Sequence, residues 1–308
     1  MRRGKGREVN GILILDKPAG ITSNAALQQA KRLYSAAKAG HTGSLDPIAT
    51  GVLPLCFGEA TKFSQFLLEA DKRYRATVKL GVATASGDAD GEILTTAPVP
   101  ALSESALESM LDGFRGVIEQ TPSMYSAIKI DGQPLYKLAR QGLEVERKSR
   151  EVTIYELILH GFTVDELDLE IACSKGTYIR SMAEDMGRVL GCGAHVSRLR
   201  RTASGPFEIG RAHTLDALRE LKATGDFPAL DAVLEPASSA VQHWPEVKLT
   251  ELTASYLKQG QAVQIPHAPT AGWVRIFSES GETGTDFLGV GEILEDGRVA
   301  PRRLVATR

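Results

Sequence analysis

Three stretches of the chain gather residue types that can do chemistry. The first is Gly40-His41-Thr42-Gly43-Ser44-Leu45-Asp46-Pro47, a single carboxylate between a glycine and a proline, five residues after a histidine. Glycine and proline fix an unusual backbone, and loops held in that way present side chains at sites. A lone carboxylate can serve as base, nucleophile or metal ligand. Taken alone, Asp46 can equally be a cap on the turn before Pro47. The second stretch is Cys173-Ser174-Lys175-Gly176-Thr177-Tyr178-Ile179-Arg180. It places an aromatic ring and cations at a strand-to-helix turn, where helix-start N–H groups favour an anion such as phosphate. Arg180 can instead pair with a carboxylate, or be an ordinary surface arginine. Within about 4–6 Å it would hold Asp46 ionised by lowering its pKa. The third stretch, His195-Val196-Ser197-Arg198-Leu199-Arg200-Arg201, alternates cations with apolar residues. On a strand this sends Arg198 and Arg200 to one face; the alternative is an edge strand charged against aggregation.

Other chemistries lack their residues. The six histidines show no pairing at metal-ligand spacing, so no metal is expected. No phosphate-binding glycine loop and no G-x-S-x-G elbow occurs, which leaves nucleotide cofactors and serine hydrolysis unsupported. Cys56, Cys173 and Cys192 form no C-x-x-C, which argues against a disulfide framework or a structural zinc and fits a reducing cytoplasm. No apolar run is long enough for a membrane helix, and the basic Met1–Arg7 segment lacks the apolar stretch of a signal peptide.

The net charge of -2 conceals a pattern. Residues 1–75 carry 12 Lys+Arg against 6 Asp+Glu, and residues 171–213 carry 7 against 3. Between them, residues 76–170 carry 8 against 16. If the two basic segments meet in space, they give a near-neutral protein a face for a polyanion.

The elements that must position these residues follow from periodicity and punctuation. Gly11–Leu15 reads as a strand, and Thr22 and Ser23 as caps on a helix through about Ala36. Residues 38–51 read as a loop, 61–70 as a helix and 74–82 as a strand. Ser105 and Glu108 have capping-box spacing for a short helix to about Leu111. A strand over 124–130, a turn and a helix over 134–141 follow. Then come strands over 151–160 and 167–173, a helix over 177–190 and a basic strand over 195–203. Short helices are expected at 214–223 and 227–234. Glu235–Pro245 reads as a linker. Beyond it lie a helix at 250–258 and strand-like runs at 262–266, 272–278, 286–294 and 298–305. The reading is a catalytic domain over 1–246 and a small β-rich domain over 247–308.

Together these segments resemble the TruB family of tRNA pseudouridine synthases over essentially the whole chain. The resemblance rests on Gly11-Ile-Leu-Ile-Leu-Asp-Lys17-Pro18 and Gly40-His41-Thr-Gly-Ser-Leu-Asp46-Pro-Ile-Ala-Thr-Gly51. Lys72-Arg73-Tyr74, Gln120-Thr-Pro-Ser-Met-Tyr-Ser-Ala-Ile-Lys129, Ser174-Lys-Gly-Thr-Tyr178-Ile-Arg180 and Leu199-Arg-Arg201 complete it. The C-terminal segment resembles a PUA-type RNA-binding module. The resemblance implies an α+β catalytic domain on a mixed, largely antiparallel sheet, followed by a PUA-like domain. It implies isomerisation of uridine to pseudouridine at position 55 in the T loop of tRNA, by base flipping and without a cofactor. Asp46 would carry the covalent chemistry; attack at C1′, addition to C6 and proton removal at C2′ are all open. Tyr74 would stack on the uracil and Arg180 would pair with Asp46. His41 would help extrude the base, Tyr178 would contact the nucleotide backbone, and Leu199 would line the pocket. Residues 122–145 match a mobile RNA-gripping insertion, with Arg140 as an RNA contact. The T-arm stem-loop is the implied partner, with no guide RNA, membrane or obligate protein partner. Two other readings stay open: an RNA-binding or tRNA-folding protein, and a pseudouridine synthase with a different RNA target.

Overall fold

The structure, a computed structural model of the chain, describes residues 6–126, 128–130, 132–139, 141–143, 145–224, 227–280 and 284–306. Arg140 and Arg308 lie outside the described residues. Strand β1 (Gly11–Lys17) is buried almost throughout. Helix α1 (Ser23–Leu33) is capped by Thr22, whose side chain accepts from the Ala25 N–H. It ends short of Ala36 because Ser35 takes a φ of 50°, which a right-handed helix does not contain. The stretch expected as loop holds β2 (Ala39–His41) and the start of β3 (Thr50–Phe57), antiparallel partners. Three residues with a central glycine carry little strand propensity; the neighbouring strand decides. A 3₁₀ turn (Gly58–Phe63) and α2 (Ser64–Glu69) share the place of the single helix expected there. In β4 (Lys72–Leu80), Lys72, Tyr74, Ala76, Val78 and Leu80 alternate inward.

A hairpin, β5 (Val82–Thr84) and β6 (Ile93–Thr96), precedes α3 (Glu104–Asp112). The cap of α3 is Ser103 rather than Ser105: its side chain accepts from the Ala106 N–H. Strand β7 (Gly116–Gln120) leads to a short pair, β8 (Lys129–Ile130) and β9 (Gln133–Pro134), and to α4 (Leu135–Ala139). The strand expected over 124–130 is thus only two residues long. Then follow β10 (Arg150–Phe162), β11 (Glu166–Cys173), α5 (Ile179–Val189) and β12 (Ala194–Ser204). β13 (Phe207–Glu208), β14 (His213–Thr214), α6 (Leu215–Ala223) and α7 (Phe227–Ala232) complete this part.

The main sheet runs β14-β1-β3-β12-β4-β11-β10-β7, with β2 on β3 and β13 on β12. Only β1/β14 and β12/β3 are parallel, so the sheet is mixed and largely antiparallel. β12 sits mid-sheet between β3 and β4, which rules out the edge-strand reading of its arginines. This placement also brings the two basic segments side by side. Gly51 makes the approach of β3 to β12 feasible. Its φ is +101°, and an added Cβ would lie 2.2 Å from the Arg201 carbonyl oxygen. One sheet face packs Leu13, Leu53, Val78 and Leu169 under α1, α5 and α6. The other packs Ile12, Ile14, Val52 and Phe63 against Val241 and Val290. Fully burying such a side chain stabilises by about 1.5–3 kcal/mol.

The C-terminal sheet, in order β15 (Glu246–Leu249), β16 (Gly272–Ser280), β17 (Gly284–Ile293) and β18 (Val299–Leu304), has its own core with α8 (Glu251–Lys258). β15 was not foreseen, and the run at 262–266 contributes only a bridge from Val263 to Val299. Glu235–Pro245 is not a free linker. Glu235 exchanges two backbone hydrogen bonds with Ile12, and Ala240 and Val241 are buried. Trp244 stacks on Trp273 at 5.1 Å, and Phe66 packs edge-on against both rings. Pro, Ser and Glu suggested a solvated tether; the apolar residues among them found a surface to cover. No helix among the described residues is long and apolar enough to cross a membrane.

Candidate active site

The Asp46 loop is held from three sides. Ser23, buried at the start of α1, donates to the Leu45 carbonyl at 3.0 Å and accepts from the Leu45 N–H at 2.7 Å. The Lys17 ammonium, at the end of β1, donates to the carbonyls of Pro18, Ile21 and Pro47. Arg201, from β12, donates to the carbonyls of Val52 and Gly43. These bonds satisfy loop backbone groups that burial would otherwise leave unpaired. The carboxylate emerges facing the first turn of α5, where Arg180 Nε lies 2.9 Å from Asp46 Oδ2.

Arg180 is the more enclosed partner: its side chain is 5% exposed against 38% for Asp46. Its remaining donors are also engaged. Nη1 reaches the Ser86 carbonyl at 2.7 Å and lies 3.6 Å from Asp88 Oδ2; Nη2 reaches the Tyr125 carbonyl at 3.0 Å. A guanidinium whose two Nη atoms are held by three groups has one direction left in which to present Nε, which fixes its aim. Burial raises the Asp46 carboxyl above its ordinary value, Arg180 pulls it down, and Asp88 adds to the rise. The net shift is upward. The expectation of a lowered value weighed the arginine and omitted the desolvation that accompanies it.

The ion pair lines a cavity of about 280 Å³ together with Tyr74, Tyr178, Leu199 and Arg201. That is just below the ~300–1,000 Å³ of ordinary ligand pockets. Tyr74 is buried, and burial pushes its phenol up, with the Arg201 guanidinium opposing. Leu199 and Arg201 share the inner face of β12, while Arg198 and Arg200 share the outer one, as alternation requires. The Tyr178 ring lies beneath the Arg150 guanidinium, 4.9 Å from ring centre to Cζ.

Of the residues singled out from sequence, Asp46, Tyr74, Arg180, Tyr178 and Leu199 therefore meet at one cavity. His41 is not among its lining residues. It sits half-buried on β2, its Nδ1 has no hydrogen-bond partner, and burial next to Arg201 lowers its pKa. Arg140 lies outside the described residues. Several site residues escaped the sequence reading. Asp88 lies in none of the stretches singled out from sequence, and Arg201 stands there only at the end of a charged strand. Lys72 lines the cavity with its ammonium turned to carbonyls at the end of α2. Ser126 lines it too, with a buried hydroxyl that has no partner. Ser23 did leave a signal: one helix needs one cap, and Thr22 already supplies it. Among the described residues, no group of His, Cys, Asp and Glu is placed to hold a metal ion.

The chain is similar to known proteins over almost its whole length. Residues 31–179 match the model of the TruB family pseudouridylate synthase N-terminal domain. Residues 180–242 match the tRNA pseudouridylate synthase B C-terminal domain, and residues 245–305 the pseudouridine synthase II TruB C-terminal model. A tRNA pseudouridine synthase B from Coxiella burnetii (strain RSA 331 / Henzerling II) is 56% identical over 98% of this chain and 96% of the relative. One from Pseudomonas aeruginosa (strain UCBPP-PA14) is 54% identical over 97% of each. Among solved structures, an H/ACA RNP bound to a substrate RNA containing 2′-deoxyuridine is similar at a TM-score of 0.72. It shows 25% identity, covering 97% of this chain and 86% of that one. A Cbf5–Nop10–Gar1 complex gives 0.71 and 25%, covering 97% and 84%. On identity and coverage together, the chain belongs to the TruB family of pseudouridylate synthases.

Proposed function

We propose that the chain isomerises uridine to pseudouridine at position 55 in the T loop of tRNA. The observation that carries this is the Asp46–Arg180 pair opening on a cavity shared with Tyr74 and Leu199. The tRNA substrate follows the names of relatives matched over nearly their whole length. A stacked loop base hides its sugar linkage, so it must be extruded into the cavity before reaction. There the Asp46 carboxylate acts at C1′, C6 or C2′, the glycosidic N1 bond breaks, the uracil turns, and C5 joins the ribose as its proton leaves. Arg180 keeps the carboxylate aimed, and Tyr74 and Leu199 give the uracil an aromatic and an aliphatic wall. These groups suffice for the isomerisation without an oxidant, reductant or group donor, because substrate and product have the same atoms.

In this reading residues 1–246 form the catalytic domain, with the insertion at about 122–145 gripping RNA. Residues 247–308 form a PUA-like domain that adds RNA contact. The solved neighbours belong to assemblies with other proteins or RNA; we infer that this chain acts without a guide RNA, in the cytoplasm. The test is release of tritium from a tRNA transcript labelled at uracil C5, with purified protein and no other macromolecule. Release should approach one per tRNA, and Asp46→Asn should abolish it while leaving tRNA binding within a few-fold. Turnover by that variant removes Asp46 from its role. Binding without release in the wild type leaves an RNA-binding protein, and equal rates on unrelated hairpins refute the T-loop target.

A further inference from the structure

Arg180 and Tyr178 sit where they do because something outside α5 holds the start of that helix. Tyr178 is its N-cap, and no side chain caps it from within. The N-cap residue is instead held by Gln120, the last residue of β7, which is 1% exposed. Its Oε1 accepts from the Tyr178 N–H at 3.0 Å, and its Nε2 donates to the Tyr178 carbonyl at 3.2 Å. A side-chain amide thus makes the two bonds that a neighbouring strand would make, at a point where no strand continues. Two further bonds link the same segment to the same helical turn. Ser181 Oγ donates to the Thr121 carbonyl, and Arg180 Nη2 donates to that of Tyr125. Arg150, the cross-strand partner of Gln120, covers the Tyr178 ring and donates to the Gly176 carbonyl.

We propose that Gln120 is a positioning residue for the isomerisation: its amide fixes Tyr178 and, two residues on, the aim of Arg180 at Asp46. The residue touches no reacting atom. It also stands two residues before the segment assigned to RNA gripping, so one side chain links the approach to that segment with the geometry of the ion pair. A burial role alone needs only volume. Positioning needs a donor and an acceptor together, because Tyr178 offers one of each. The inference rests on the function proposed above.

The experiment compares Gln120→Leu and Gln120→Glu with wild type in the C5 tritium assay, as kcat, KM and tRNA Kd. The leucine keeps volume and removes both bonds. Its kcat should fall by about 10- to 100-fold, the scale of a misplacement near 1 Å, with Kd little changed. The glutamate is the sharper probe. Ionised, it accepts from the Tyr178 N–H but turns a second acceptor to the Tyr178 carbonyl; protonated, it supplies one donor and one acceptor. The ratio of its kcat to that of wild type should therefore climb as pH falls from about 8.5 to about 6, the ratio cancelling titrations common to both proteins. A flat ratio overturns the proposal, as does a leucine variant with wild-type kcat. Should the leucine variant not fold, the pH ratio of the glutamate variant still decides. A wild type that forms no pseudouridine refutes the functional reading itself, and that arm is read before any variant.

Discussion

The two halves of the ion pair are mounted by the same device in different surroundings. Leu45, beside Asp46, has its N–H and carbonyl both taken by the hydroxyl of Ser23. Tyr178, close to Arg180, has both taken by the amide of Gln120. The Asp46 mounting is built from β1, α1, β3 and β12, the middle of the molecule, with the Lys17 and Arg201 side chains buried around it. The Arg180 mounting depends on β7, the terminal strand of the sheet, and on the segment beyond it. The carboxylate side is anchored in the fold's interior, and the cation side on its periphery. In the function proposed above, such a division would let the periphery answer to bound RNA while the carboxylate stays in place.

The largest way to break the comparison is at the pair itself. Arg180→Lys keeps the charge and loses the guanidinium that spans Asp46, Ser86 and Tyr125. We expect kcat to fall by about 10²–10³, the usual cost of removing an aimed electrostatic partner. A variant within fivefold of wild type would show that charge alone suffices. Ser23→Ala should separate the two mountings. It leaves the Leu45 N–H and carbonyl buried and unpaired, a loss of about 1–3 kcal/mol in denaturant unfolding, accompanied by lower kcat. An unchanged unfolding midpoint would deny Ser23 its structural part.

The pH profile sharpens the electrostatics. Burial raises the Asp46 pKa, and the proposed reaction needs its carboxylate, so activity should be present above that pKa and lost as pH falls through it. The acid limb of kcat should thus lie above the ~3.9 of a free aspartate. In Arg180→Lys, whose shorter cation sits less closely, the limb should move to still higher pH; a downward shift would contradict the account. The smallest effect concerns Ser126, whose buried hydroxyl lacks a partner. Ser126→Ala should leave the melting temperature equal to wild type or slightly raised, since no hydrogen bond is lost. A fall of several degrees would mean that the hydroxyl is bonded through water.

Much of this was legible in the residues. A strand starting near Tyr74 is legible, and the alternation in β12 separates Leu199 from Arg198 and Arg200. What was hidden depended on contacts far apart in sequence. Nothing local in Gly87-Asp88-Ala89 announces that Asp88 faces an arginine 92 positions later. The capping-box spacing at Ser105 misled because Ser103, an equally good cap, stands two residues earlier. The Asp46 pKa was misjudged because its direction depends on enclosure, which spacing does not report. The segment at 235–245 misled for a related reason: composition marks what a stretch tolerates, while Trp244 answers to a surface supplied by Phe66 and Trp273.

That aromatic contact has a consequence for the kind of RNA this protein accepts. With Phe66, Trp244 and Trp273 packed mutually in one cluster, the second sheet is bolted to the first instead of swinging from it. The pair of sheets then works as a caliper set to a single gap. In the function proposed above, an RNA touching both jaws would be gauged by the distance between its reactive base and its far contact before any base is read.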